Sequence, residues 1–66
     1  MNKNEAILAM REGKKLTHRY FAHDEWMTMT PDGNILFEDG VRCSQNEFWK
    51  WRTEKTWDTD WEIFTN

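Results

Sequence analysis

Tryptophan and arginine carry most of the binding chemistry this chain can offer. Five of its 66 residues are tryptophan: Trp26, Trp49, Trp51, Trp57 and Trp61. An indole stacks on a planar ring through its face and donates one N–H from its edge. By analogy with single-strand nucleic-acid binding, an adenine stacked on such a ring gains roughly 1–3 kcal/mol. Arg19 and Arg52 are the best anion-binding candidates, because a guanidinium fork matches a phosphate bidentately and also stacks on aromatic rings. Together these types could hold a nucleotide-like small molecule; the competing reading is that both arginines are solvated or salt-bridged.

Other chemistries find less support. His18 and His23 share no clear element, and neither has a cysteine or carboxylate at a metal-ligand spacing, so no metal site is expected. Asp58, Asp60 and Glu62 alternate like the start of a calcium loop but lack its glycine and distal glutamate. They suit a solvated strand edge, where charge discourages edge-to-edge pairing. Cys43 has no histidine beside it in sequence, and a helix cap accounts for Ser44. The three glycines are widely separated and turn-placed, so there is no phosphate loop or dinucleotide fingerprint. No cofactor is implied. An enzyme is not expected, since so short a chain would struggle to build both a core and a preorganised reaction site.

Composition sets the frame. With 15% aromatic residues the chain should fold, although 32% of it is charged and its mean hydropathy is -0.99. No apolar run approaches the roughly 18 residues of a membrane span, and no signal-peptide apolar region is evident. One domain, residues 1–66, is expected. A chain of this size buries only about 60% of its unfolded surface and is marginal alone. Cys43 is the only cysteine, so an internal disulfide is excluded and homo-oligomerisation is the favoured remedy; a monomer held by its aromatic core is the alternative. The net charge is -3, unevenly spread. Residues 1–22 hold five basic and two acidic groups, whereas residues 23–66 hold four basic and ten acidic groups. The first part could meet a phosphate and the second a basic protein surface. With no dominant basic stripe, general nucleic-acid binding is not expected.

The elements that must position these residues follow from pattern. Asn2 with Glu5 has capping-box spacing, opening a helix from about Asn4 to Glu12 whose apolar face gathers Ala6, Ile7, Ala9 and Met10. Gly13 should end it in the left-handed region. Residues 15–21 suit a strand, with Leu16, His18 and Tyr20 on one face and Thr17, Arg19 and Phe21 on the other. A second strand runs from Glu25 to Thr30. The turn Pro31-Asp32-Gly33-Asn34 leads into a third at Ile35 to Glu38, and Asp39-Gly40 into a fourth at Val41 to Cys43. Ser44 with Glu47 opens a second helix, from Gln45 to about Lys55. Thr56 to Thr59 returns the chain to a last strand at Trp61 to Phe64. The fold class is α+β: a helix, a three- to four-stranded antiparallel meander, a second helix and a C-terminal strand, with the helices on one sheet face. On the second helix Phe48, Trp51, Arg52 and Lys55 share a face, and Trp49 lies about 160° from Trp51. One indole should then face a partner subunit or a ligand, unless Trp49 packs under the first helix or the last strand.

Two short stretches resemble a known family. Glu5-Ala6-Ile7-Leu8, then Glu12-Gly13-Lys14-Lys15-Leu16, is similar to the opening of the phage-encoded Thoeris anti-defence sponge family, in which a helix ends in Gly-Lys-Lys-hydrophobic before a strand bearing an arginine. The closing Asp60-Trp61-Glu62-Ile63 is similar to that family's terminal Asp-Trp-Glu strand. The match covers the two ends, about a third of the chain. The middle is shorter than is usual there, and the tryptophan that commonly follows the strand arginine is replaced by Tyr20-Phe21 or displaced to Trp26. The resemblance implies a homo-oligomer in the host-cell cytoplasm that binds a cyclic-nucleotide-like or cyclic ADP-ribose immune signal and sequesters it uncleaved. Its expected ligand contacts are Arg19, Tyr20, Trp26, Trp49 and Arg52. A second reading, from charge alone, is an acidic inhibitor of anti-restriction or anti-CRISPR type that presents carboxylates to a host defence protein.

Overall fold

The structure is a computed structural model and describes residues 1–65. Its two helices and five-stranded antiparallel sheet form the expected α+β fold, with strand order β4-β3-β2-β1-β5. Helix α1 spans Lys3–Arg11. Asn2 accepts the Glu5 N–H at 2.8 Å while the Glu5 carboxylate accepts the Asn2 N–H at 2.9 Å, so the capping box is complete. Ala6, Ala9 and Met10 turn into the core, and Gly13 closes the helix at φ 88°. The strands are β1 (Leu16–His18), β2 (Met27–Met29), β3 (Ile35–Phe37), β4 (Arg42–Cys43) and β5 (Trp61–Ile63). Helix α2 spans Gln45–Lys50, and a 3-10 turn spans Lys55–Asp58.

Alternation divides the sheet into a covered and an uncovered face. Leu16, His18, Met27, Ile35 and Trp61 are buried together with Ala6, Met10 and Phe48, so both helices lie on that face. Trp61 sits at its centre, with its ring 5.7 Å from Trp49, 4.6 Å from His18 and 6.5 Å from Phe48, and its Nε1 donating to Trp57 O at 2.8 Å. The last strand joins the sheet beside β1 rather than extending the meander. Its partner there is fixed by Leu16↔Ile63, Thr17↔Glu62 and His18↔Trp61.

Three expectations are corrected. The first strand stops at His18 instead of Phe21, because His18 O accepts the Phe21 N–H at 2.9 Å and His18 Nδ1 accepts the Tyr20 N–H at 3.1 Å. That turn carries Phe21 round to pack on the core rather than on the Thr17 and Arg19 face. The second helix ends at Lys50 rather than near Lys55. Its terminal carbonyl at Phe48 accepts from Arg52 Nη1 at 3.0 Å, and the chain then leaves the helix axis to bring Trp57 against His18 at 4.4 Å. Met27 to Met29 is likewise the whole of the second strand, since Glu25 is still held in the preceding turn by its N–H to Ala22 O.

Candidate functional site

The covered face ends in an aromatic and cationic ridge. His18 is its strut. The ring is 3% exposed, and its Nε2 lies 2.9 Å from both Thr56 O and Thr59 O. Carbonyls only accept, so the ring proton sits on Nε2 while Nδ1 takes the Tyr20 N–H. One side chain from β1 therefore fixes both ends of the 3-10 turn and the start of the Tyr20 loop. Trp57 stacks against His18, and Tyr20 meets Trp57 edge-on at 5.7 Å while remaining 61% exposed.

Arg52 joins this ridge from the end of α2. Its guanidinium carbon lies 4.1 Å from the Phe48 ring centre and 5.3 Å from that of Trp57. Such a stack suits a delocalised cation better than an ammonium. The side chain is half-buried and its buried Nε has no hydrogen-bond partner. Among the described residues the one ion pair is Arg19 with Asp60, at 3.8 Å, so Arg52 has no carboxylate of its own. Glu54 is nearby, accepting from Trp57 Nε1 at 3.2 Å. Cys43 is close enough to feel the Arg52 charge, but burial dominates and pushes its thiol up, which leaves it a poor nucleophile.

The five residues expected at a ligand divide between the two faces. Tyr20 and Arg52 meet through Trp57. Trp49 stands edge-on to Phe48 at 4.8 Å, with Lys3 Nζ 4.4 Å from its ring centre and its buried Nε1 unpartnered. Trp49 thus packs between the first helix and the last strand, and Trp51, 71% exposed, is the indole left outside. Arg19 and Trp26 belong to the uncovered face. Trp26 lies under Lys15 Nζ at 4.3 Å and beside Phe64 at 6.5 Å. Sequence reasoning placed Phe48 and Arg52 on one helical face, one turn apart, but missed Trp57 as the second ring that holds Arg52; nothing local indicates it.

A concave surface also lies elsewhere. A cavity of about 670 Å³ opens between the end of α1 (Arg11, Glu12, Gly13) and the β2–β3 turn (Thr30 to Gly33), with Met29 and Gln45 in its wall. Gln45 Nε2 donates to Gly33 O at 2.7 Å, and Thr30 donates to Asp32, holding that carboxyl below its ordinary value. These polar groups brace the turn on α2 and leave little unsatisfied chemistry. Among the described residues no cluster of three or more His, Cys, Asp or Glu could hold a metal, and no helix is long and apolar enough to cross a membrane. Comparison with protein-family models, with curated proteins and with solved structures finds no match to this chain.

Proposed function

We propose that this is a binding protein that takes up a nucleotide-derived immune signal and holds it without cleavage, as a phage anti-defence sponge does. The observation that carries the reading is Arg52: a half-buried guanidinium, stacked on Phe48 and Trp57, with no ion-pair partner among the described residues. A half-buried guanidinium whose Nε lacks a partner keeps unused donor capacity, and a phosphate would take it up through charge-assisted hydrogen bonds. Exposed Tyr20 and half-buried Trp57 stand beside it as ring surfaces for a base. Trp49 Nε1, on α2, is a second buried donor without a partner among the described residues. In this reading Arg52 binds phosphate, Tyr20 and Trp57 stack the base, and His18 keeps the ridge in shape. No general base or nucleophile is required, because sequestration needs affinity and abundance only. The protein acts in the host cytoplasm as a homo-oligomer. Native mass spectrometry of protein purified from cells with an active signalling system tests this. A retained, intact nucleotide on an oligomer is expected; ligand-free protein from signalling cells would refute it.

One observation favours a second reading. Trp51 is the most exposed of the large apolar side chains among the described residues; Lys50 Nζ lies 5.2 Å from its ring centre, and exposed Glu47 and Glu54 are near it in sequence. Exposed tryptophans anchor protein interfaces, so an acidic inhibitor of a host defence protein would use this surface. A stoichiometric host complex in a pull-down, dissolved by salt, would establish it in place of the sponge.

A further inference from the structure

The sheet face away from the helices is unpartnered. Strand register lays out its side chains as a grid. One row across the sheet reads Phe64, Lys15, Thr28, Leu36, Arg42. The next reads Glu62, Thr17, Trp26, Glu38. Trp26, Leu36 and Phe64 are half-buried here, yet none belongs to the core cluster. The threonine hydroxyls are already spent on the backbone, Thr17 on Glu25 O at 3.0 Å and Thr28 on Lys14 O at 2.8 Å. What these two rows leave for a partner is an apolar centre with two cations and two carboxylates around it, Arg19 beyond them being paired with Asp60.

We propose that a second copy of this chain covers this face, related by a two-fold axis running along β2 in the plane between the sheets. The strand order makes β2 the middle of five, so the axis lays β2 on its own copy, β1 on the partner's β3 and β5 on the partner's β4. Trp26 then rises beside its own copy, each ring leaning toward Lys15 and Phe64 of its own chain. Lys15 falls beside the partner's Glu38, and Glu62 beside the partner's Arg42, each pair occurring twice. Phe64 faces the same Arg42 of the partner, and the stem of Lys15 faces the partner's Leu36. The charges of the face are thus complementary to themselves under this operation, as an isologous interface requires. A two-fold axis across the strands does worse, because it sets Glu38 on the partner's Leu36 and Glu62 on the partner's Phe64. Two twisted sheets pack face to face about 10 Å apart, a gap that tryptophan, leucine and phenylalanine side chains fill. The proposal does not rest on ligand binding: a monomer removes the oligomer from both accounts, while titration of ligand reads the Arg52 site whatever the oligomeric state.

Sedimentation equilibrium tests it by charge exchange. The wild-type chain should be an even-numbered oligomer. Arg42→Glu and Glu62→Arg should each weaken association at least about ten-fold, since each sets two like-charged pairs together. Mixed in equal amounts, the two variants should associate as tightly as the wild type, because both heterologous contacts are again Glu with Arg. The double variant Arg42→Glu/Glu62→Arg should recover as well. Circular dichroism checks the fold, and if either single variant fails to fold, Lys15→Glu with Glu38→Lys runs the same exchange on the second pair. A wild-type monomer at about 100 μM, a concentration that would fill even a weak specific dimer, overturns the proposal. So does a mixture that stays as dissociated as its components.

Discussion

Replacing His18 with phenylalanine separates the shape of this side chain from its hydrogen bonds. The ring stays in place between Trp57 and Trp61, whose centres lie 4.4 and 4.6 Å away, so little packing is lost. Both nitrogens disappear. The Nε2 proton no longer serves Thr56 O and Thr59 O, and the Tyr20 N–H loses its acceptor. A typical hydrogen bond contributes about 1 kcal/mol net, and a buried group left unpaired costs about 1–3 kcal/mol. Thr59 and Tyr20 are exposed, so their backbone groups can turn to water, which holds the sum to about 2–3 kcal/mol. A domain of this length has a total stability of roughly 3–10 kcal/mol, so the loss is a large share of it. Urea unfolding followed by tryptophan fluorescence reads the effect. With a slope near 1 kcal/mol per molar for a small domain, the midpoint should fall by about 2–3 M. His18→Gln, which returns an N–H near the Nε2 position, should recover part of it. A His18→Phe variant within about 0.5 kcal/mol of the wild type would refute the idea that this histidine fastens the 3-10 turn.

Three further outcomes are expected. Cys43, with its thiol pushed up by burial, should react with iodoacetamide several-fold more slowly in the folded than in the urea-unfolded chain at neutral pH, as mass spectrometry would record. Asp32 is held below its ordinary value of 3.8, mainly by Thr30, so its contribution is present above that pH and is lost as pH falls through the lowered folded value. The stability advantage of wild type over Asp32→Asn should therefore shrink below about pH 3.8 and not above it. Trp51→Ser should shift the unfolding free energy by less than about 0.5 kcal/mol, because that indole lies outside the core. A larger loss would mean Trp51 is covered in the working protein.

Much of the fold was written locally. The Asn2 and Glu5 pair, Gly13, and the two hairpin turns of the meander each act through neighbours a few residues away, so spacing alone reveals them. What sequence pattern did not reveal lies in particular side-chain contacts, one of them with a distant partner. Helix α2 looks able to run to Lys55, but Arg52 turns back to cap Phe48 and Trp57 is drawn to His18, contacts across 4 and 39 residues. The alternation of residues 15–21 likewise breaks because His18 takes the Tyr20 N–H. That Arg52 could bind an anion was visible in its chemistry, yet that it has no ion-pair partner among the described residues is a tertiary fact. That Arg19 and Trp26 stand on the other face from Tyr20 and Arg52 follows from the strand alternation once the short first strand is known.

The central claim is that Arg52 and its rings hold a nucleotide-derived anion. Isothermal titration of wild type and Arg52→Lys against a panel of cyclic dinucleotides and ADP-ribose derivatives tests it most directly, with thermal unfolding to confirm equal folding. Lysine keeps the charge and loses the planar fork and much of the stack. One member of the panel should bind the wild type stoichiometrically and be recovered intact, with affinity at least about ten-fold weaker in Arg52→Lys, equivalent to the loss of about 1.4 kcal/mol. No binding across the panel, or equal binding by the two proteins, would contradict the account.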